Sequence, residues 1–164
     1  MPEFSPAYPE LSPAYSELRD TMLAVAPHPG SMDPTEELPH VYGVLIDIGF
    51  EVLYTVSAFS DGTTRVYDSK GGAITGLGGM EDMAVVSHAL LRAVEASLDA
   101  FKPVESTPLP GFQRIRFTVL THGGRLGVEV DGPPLLKGPH PLSKPFAAAM
   151  AIMERARQVS TQPD

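Results

Sequence analysis

Asp47 is the one charged residue inside the most apolar stretch of the sequence, Val-Tyr-Gly-Val-Leu-Ile-Asp-Ile at 41–48. Loss of hydration makes a carboxylate a stronger proton acceptor, so a buried Asp47 is a candidate general base or ligand-binding residue. The alternative is that Asp47 ends the strand beside Gly49 and hydrogen-bonds to turn amides or water. The sequence leaves both interpretations open.

A glycine-rich segment, Gly-Gly-Ala-Ile-Thr-Gly-Leu-Gly-Gly at 71–79, lies between a predicted strand and a predicted helix, where phosphate-binding loops occur. It lacks the Gly-Lys-Ser/Thr ending of a P-loop, and a dinucleotide motif would need glycine at the position of Glu81. Glu81 and the residue after it are also acidic, which disfavours phosphate. We predict a structural turn, with a small-ligand or peptide site at Gly76, Gly78 and Gly79 as the alternative.

Three arginines, Arg114, Arg116 and Arg125, are predicted to share the solvent-facing side of a hairpin. Together they would form an anion-binding cluster. The alternative is that the arginines pair across the strands with Glu129 and Asp131. Such a pair on a protein surface contributes only about 0.2–1 kcal/mol to stability.

Other catalytic signatures are missing from the sequence. It contains no cysteine, no Gly-x-Ser-x-Gly nucleophile elbow, and no two of its five histidines lie four residues apart, as in a zinc-binding helix. We therefore predict no catalytic residue, no metal site and no cofactor.

Composition excludes several classes of partner. The net charge of −8 disfavours binding to nucleic-acid phosphates, so no nucleic-acid partner is expected. No apolar run approaches the roughly 20 residues of a membrane-spanning helix, and the first residues, Met-Pro-Glu-Phe, lack the basic flank of a signal peptide. The expectation is a cytoplasmic protein with no membrane contact.

The charge and the prolines divide the chain. Residues 1–40 hold seven acidic residues, one basic residue and eight of the 17 prolines. We predict an acidic, proline-rich arm over 1–40, a single domain over 41–159 and a frayed tail over 160–164.

The arm contains a tandem repeat, in which Ser-Pro-Ala-Tyr-Pro-Glu-Leu (5–11) is followed by Ser-Pro-Ala-Tyr-Ser-Glu-Leu (12–18). Ser12 is suited to cap a helix with proline at its first position, which predicts a helix over about 13–26. This helix either packs on the domain or presents a peptide to a protein partner or a second copy of the chain. The candidate partner-binding residues are Tyr8, Leu11, Tyr15 and Leu18.

The rest of the chain reads as three or four strands, a helix over about 80–101, two strands and a last helix that begins at Ser143. The hairpin over 112–131 has clear alternation, and a turn at Gly123-Gly124 would set Arg116 opposite Asp131. Phe146, Met150 and Met153 are the predicted core stripe of the last helix. The fold class is α+β, a mostly antiparallel sheet of five or six strands with helices packed on its faces.

This order of elements is similar to that of the roadblock, longin and profilin-like domains over about residues 41–158. The stretches Leu-Pro-His-Val-Tyr-Gly-Val-Leu-Ile-Asp (38–47), Asp-Gly-Thr-Thr (61–64) and His-Pro-Leu-Ser (140–143) also resemble an uncharacterised family of small bacterial proteins. That resemblance implies no catalytic residues.

The leading hypothesis is a non-enzymatic interaction module that binds a protein partner or itself as a homo-oligomer. One alternative is a small enzyme or ligand sensor built around the glycine-rich loop and Asp47. A second is an acidic inhibitor or immunity-type protein that covers a basic enzyme, because negative charge speeds such encounters.

Overall fold

The computed structural model of the chain describes residues 11–74 and 77–161. It has the predicted α+β architecture, with a single antiparallel sheet of seven strands in the order β4-β3-β2-β1-β6-β7-β5. The strands are β1 (Val41–Gly49), β2 (Leu53–Phe59), β3 (Thr64–Asp68), β4 (Ala73–Ile74), β5 (Lys102–Pro103), β6 (Arg114–Thr121) and β7 (Gly124–Asp131). The sheet exceeds the predicted five or six strands because β5, a two-residue strand at one edge, was not predicted, whereas β4 at the other edge is the optional fourth strand of the prediction.

Four helices pack against the sheet. They are α1 (Pro13–Leu23), α2 (Glu81–Ala96), α3 (Gly132–Lys137) and α4 (Ser143–Thr161). The short helix α3 lies between the last predicted strand and the last predicted helix, where no helix is predicted. Its two prolines stand near the helix start, where the missing N–H groups would have no partner inside the helix. No helix of the described residues has the length and hydropathy needed to cross a membrane.

The alternation of side chains along β1 separates two cores. Val44, Ile46 and Ile48 face one side of the sheet, where they pack with α2 and α4. Leu45 and Asp47 face the other side, which α1 covers. We call these sides the α2/α4 face and the α1 face. The sheet is therefore the middle of three layers.

Helix α1 begins as predicted, because the Ser12 hydroxyl accepts a hydrogen bond from the Ala14 amide at 3.2 Å. It ends at Leu23, three residues before the predicted end. Two side chains of the sheet satisfy carbonyls at this end: Arg125 donates to Leu23 O at 2.8 Å and the Tyr42 hydroxyl donates to Val25 O at 2.8 Å. These tertiary bonds replace the hydrogen bonds of a longer helix.

The predicted hairpin of β6 and β7 forms, but its predicted register is wrong by two residues. Arg116 lies opposite Glu129 rather than Asp131, and Thr121 pairs with Gly124, so the turn is His122-Gly123. Thr121 Oγ1 holds this turn by accepting from the Gly123 amide and donating to Gly124 O. A shift of two residues keeps every side chain on its predicted face, because the strand period is two.

Candidate functional site

Asp47 lies in the interior of β1 with no solvent exposure, not at a strand end. Its two carboxylate oxygens accept from Arg19 of α1, with Nε–Oδ1 at 3.1 Å and Nη2–Oδ2 at 2.8 Å. The Thr55 hydroxyl donates to Oδ1 from the neighbouring strand at 2.7 Å. These three bonds and the burial leave the carboxylate closed to a substrate.

The network continues into α1. Thr55 has one hydroxyl proton, which goes to Asp47, so the Tyr15 hydroxyl at 2.7 Å donates to Thr55. Arg19 Nη2 also donates to the carbonyl of Thr107 at 2.9 Å, which ties the loop before β6 to the helix. Helix α1 thus supplies both the cation that binds Asp47 of β1 and the hydroxyl that donates to Thr55 of β2.

Two tyrosines border this ion pair, with ring centroids 5.6 Å apart. Burial is the main cause that raises the pKa of Tyr15 and of Tyr67 far above the usual value, and the negative charge of Asp47 adds to it. The Ser57 hydroxyl lies near enough to lower the pKa of Tyr67 slightly, although no hydrogen bond of ordinary geometry joins them. Both phenols therefore stay protonated at physiological pH.

The chain offers two copies of the repeat for this site, but only the second fits. Seven residues before Arg19 stands Ser12, so the first copy has no cation for Asp47. The first copy also has Pro9 where the second has Ser16, whose amide donates to Ser12 O at 3.2 Å. Proline lacks that donor.

The candidate partner-binding residues of the arm divide accordingly. Tyr15 is buried against its own domain, and Leu11 and Leu18 are half-buried against the same core. These three residues therefore pack within the chain, as the first of the two interpretations of the helix predicts. Tyr8 lies outside the described residues.

The three arginines do not converge. Arg114 and Arg116 both bind the carboxylate of Glu129, with Arg116 Nη2–Oε1 at 3.0 Å, and Arg114 also binds Asp131. Arg125 instead caps the last turn of α1. The cross-strand alternative therefore describes the first two arginines.

The glycine-rich loop and Asp47 lie on opposite sides of the sheet. Leu77 is buried in the core of the α2/α4 face, whereas Asp47 points to α1. Gly79 is exposed, and a Cβ there would meet nothing within 4 Å, so nothing approaches it closely. Gly76 lies outside the described residues, and nothing is described around Gly78. The described residues thus form no pocket shared by the loop and Asp47.

An apolar groove runs along one edge of the sheet, between β4 and the C-terminal half of α4, with a volume of about 570 Å³. We call it the edge groove. Met150, predicted to be core, is 37% exposed because it faces this groove. Its lining includes Val66, Gly72, Ile74, Met150, Met153 and Arg157.

A second cavity of about 440 Å³ lies at the C-terminal end of α1, lined by Leu23, Tyr42 and Arg125 among others. Helix carbonyls point towards this end, and the Arg125 guanidinium already serves one of them. Because the C-terminal end of a helix repels anions, this cavity does not continue the predicted anion site.

Sequence reasoning missed Arg19 and the edge groove. A signal for Arg19 was present: it is the only basic residue of the arm and lies four residues after Tyr15, on the same helix face. A buried acid in β1 requires a partner, and the arm offers one base. No comparable signal marks the groove, because it depends on where α4 lies relative to β4.

Comparisons with known proteins add no functional information. No protein-family model matches the chain, and neither the curated proteins nor the solved structures contain a detectable match. Among residues 11–74 and 77–161, no three His, Asp or Glu side chains are grouped so as to hold a metal ion.

Proposed function

We propose that the chain is a non-enzymatic interaction module that associates with a second copy of itself through the edge groove. The observation that carries this proposal is the apolar groove at an open edge of the sheet. Strand β4 has two residues, and within the part of the chain that the structure describes it pairs only with β3. A strand edge beside an apolar groove is a favourable surface for adding another chain.

The lining of the groove suits a contact between proteins. Met150 and Met153 have flexible, polarisable side chains that adapt to a partner surface, and Val66 and Ile74 add apolar area beside them. Interface centres are enriched in methionine and depleted in charge. The two charged residues that α4 contributes to the lining, Glu154 and Arg157, are exposed.

The rim charges favour a second copy as the occupant. Glu154 and Arg157 lie one helical turn apart on α4, both exposed, and form an ion pair within the chain. A two-fold axis through the groove would bring Glu154 of one copy near Arg157 of the other, and the reverse. The α4 side of the groove thus has one charge of each sign and is complementary to itself across such an axis, while Asp68 of β3 adds a second negative charge to the lining.

The enzyme alternative has no comparable support. It depended on Asp47 together with the glycine-rich loop, and the sheet separates these two features. Asp47 is also fully buried and paired with Arg19.

Sedimentation velocity over a range of protein concentrations tests the proposal. We expect a monomer–dimer equilibrium that Met150→Glu weakens at least about tenfold, because it places a charge in the apolar contact. The matched control is Val85→Glu, on the exposed side of α2 at 68% exposure. Circular dichroism checks that both variants stay folded. A chain that stays monomeric at all concentrations, or a dimer that Met150→Glu leaves unchanged, overturns the proposal.

A charge exchange tests the two-fold arrangement. Glu154→Arg alone and Arg157→Glu alone should each weaken the dimer, because each brings like charges together across the axis. The double variant should regain most of the lost association. Equal weakening in the double variant contradicts the two-fold contact.

A further inference from the structure

We infer that residues 1–10 dock into the edge groove of their own chain and compete there with the second copy. The inference rests on the proposed function in one respect only, namely that the competitor is another copy of the chain. It makes residues 1–10 the occupant of the groove in the free monomer, whereas Leu11, the last residue of the first repeat, packs against the core of the α1 face.

The position at which the described chain begins supports this assignment. The Ser12 amide donates to Ser69 O at 2.8 Å, so α1 starts against the turn between β3 and β4. Gly71 in this turn has φ +99, and a Cβ there would lie 2.8 Å from Ser12 Oγ. The next residue, Gly72, lines the edge groove. Residues 1–10 therefore join the described chain within a few residues of the groove.

The length of the segment is sufficient. The groove extends along α4 from Met150 to Arg157, a helix rise of about 10 Å. Ten residues reach up to about 33 Å when extended. Three or four residues can pass around the edge of the sheet and leave the remainder to follow the groove.

The composition of the segment also fits. Met1, Phe4 and Tyr8 offer three large side chains to an apolar groove, and three prolines reduce the conformational entropy that binding removes. The alternative site on the α1 face is occupied by the second repeat, which alone is followed directly by an arginine, Arg19.

Deleting residues 1–10 tests the competition, since the deleted chain keeps Ser12 and its cap on α1. If each groove is covered about nine-tenths of the time, dimerisation of the full chain is weakened about 100-fold, because both grooves must be open. We expect the deleted chain to dimerise more tightly by this factor in sedimentation velocity. The full-length variant Phe4→Ser with Tyr8→Ser should behave like the deletion, and Ser5→Ala should behave like the natural sequence.

A spin label gives a direct readout that does not depend on dimerisation. The chain has no cysteine, so Ser5→Cys provides a single attachment site. We expect the label to broaden the methyl NMR signals of Met150 and Met153 more than that of Met32, which is buried on the α1 face. Isotope-labelled chains without the spin label, mixed with spin-labelled chains, report any docking between copies.

The outcomes separate the two proposals. Broadening within one chain and tighter dimers after deletion support the inference. No selective broadening at the groove, or broadening only between copies, overturns it and leaves self-association to its own test. Broadening within one chain without any dimer supports the docking and overturns the proposed function. Equal dimerisation with and without residues 1–10 overturns the competition.

Discussion

The two faces of the sheet are built by different rules. The α2/α4 face is closed almost wholly by apolar side chains, with a Thr64–Ser87 hydrogen bond as its buried polar contact. The α1 face holds the Arg19–Asp47 ion pair and several buried hydroxyls, among them Thr118, which has no hydrogen-bond partner. An apolar face can be covered by any helix of suitable shape. A face with a buried charge can be covered only by the segment that carries the counterion.

The two faces also differ in how readily the helices that cover them can detach from the sheet. Removing α2 or α4 would expose a large apolar surface, which costs about 25 cal/mol per Å². Releasing α1 would expose fewer apolar side chains and would return Asp47 and Arg19 to water, which hydrates both charges. A buried ion pair contributes little net stability. On the α1 face its main effect is therefore to determine that the second repeat, which Arg19 follows, packs there, and its contribution to the stability of the fold is smaller.

The largest expected effect is on the α2/α4 face. Phe117 of β6 is fully buried there, and Phe117→Ala should lower the free energy of unfolding by about 3–5 kcal/mol. Phe112 is 54% exposed, so Phe112→Ala is the matched control and should change stability by less than about 0.5 kcal/mol. Urea denaturation measures both. Similar losses in the two variants would contradict the assignment of this core.

The second effect concerns the α1 face. Arg19→Met leaves a buried carboxylate with one hydrogen bond and should destabilise by about 3 kcal/mol, the low end of the usual range because α1 can detach instead. Hydrogen exchange should accelerate in α1 and not in β1. Arg19→Met combined with Asp47→Leu removes both charges and should recover most of the loss. If the double variant is as unstable as the single one, the ion pair is not the cause.

Both faces were predictable to different degrees. The α+β class and the apolar stripes follow from side-chain periodicity, which is local and needs no knowledge of partners. The pairing of Asp47 with Arg19 crosses 28 positions of sequence, and it could have been proposed only by matching the one acid of the strand to the one base of the arm. The interpretation of Asp47 as a strand-end residue instead assigned it turn amides close in sequence, or water, as hydrogen-bond partners.

The hairpin and the groove show two further limits. Glycine at 123 and 124 predicted the turn, but Thr121 decides the register through its hydroxyl, which shifts the pairs by two residues. The edge groove results from the short β4 and the placement of α4, and no periodicity encodes either distance. Met150 and Met153 look like ordinary core residues in the sequence for this reason.

A third prediction concerns the loss of stability at alkaline pH, to which the buried tyrosines of the α1 face contribute. The folded chain holds the protons of Tyr15 and Tyr67 because burial, followed by the charge of Asp47, raises both pKa values. The unfolded chain releases each proton near the ordinary value of 10.0. The stabilisation is therefore complete below pH 10 and is lost as the pH rises further, by about 1.4 kcal/mol per pH unit and tyrosine.

Urea denaturation between pH 9 and about pH 11 measures this loss. Tyr15→Phe removes one of these protons and should give a shallower decline with pH, although it also loses the 2.7 Å hydrogen bond to Thr55 and about 1 kcal/mol at neutral pH. An unchanged slope in Tyr15→Phe would show that this phenol does not control the alkaline stability.

The smallest expected effect concerns Glu129, which lies in the same cross-strand row as Asp47. Asp47 lies opposite Arg116, and Arg116 lies opposite Glu129. The Glu129 side chain is 20% exposed and its pair with Arg116 has the same chemistry as the pair of Asp47 with Arg19. Water and salt reach it, so Glu129→Gln should cost less than about 1 kcal/mol in urea denaturation, and about 1 M salt should remove most of that difference. A loss as large as that of Arg19→Met, or one insensitive to salt, would mean that burial does not distinguish the two ion pairs.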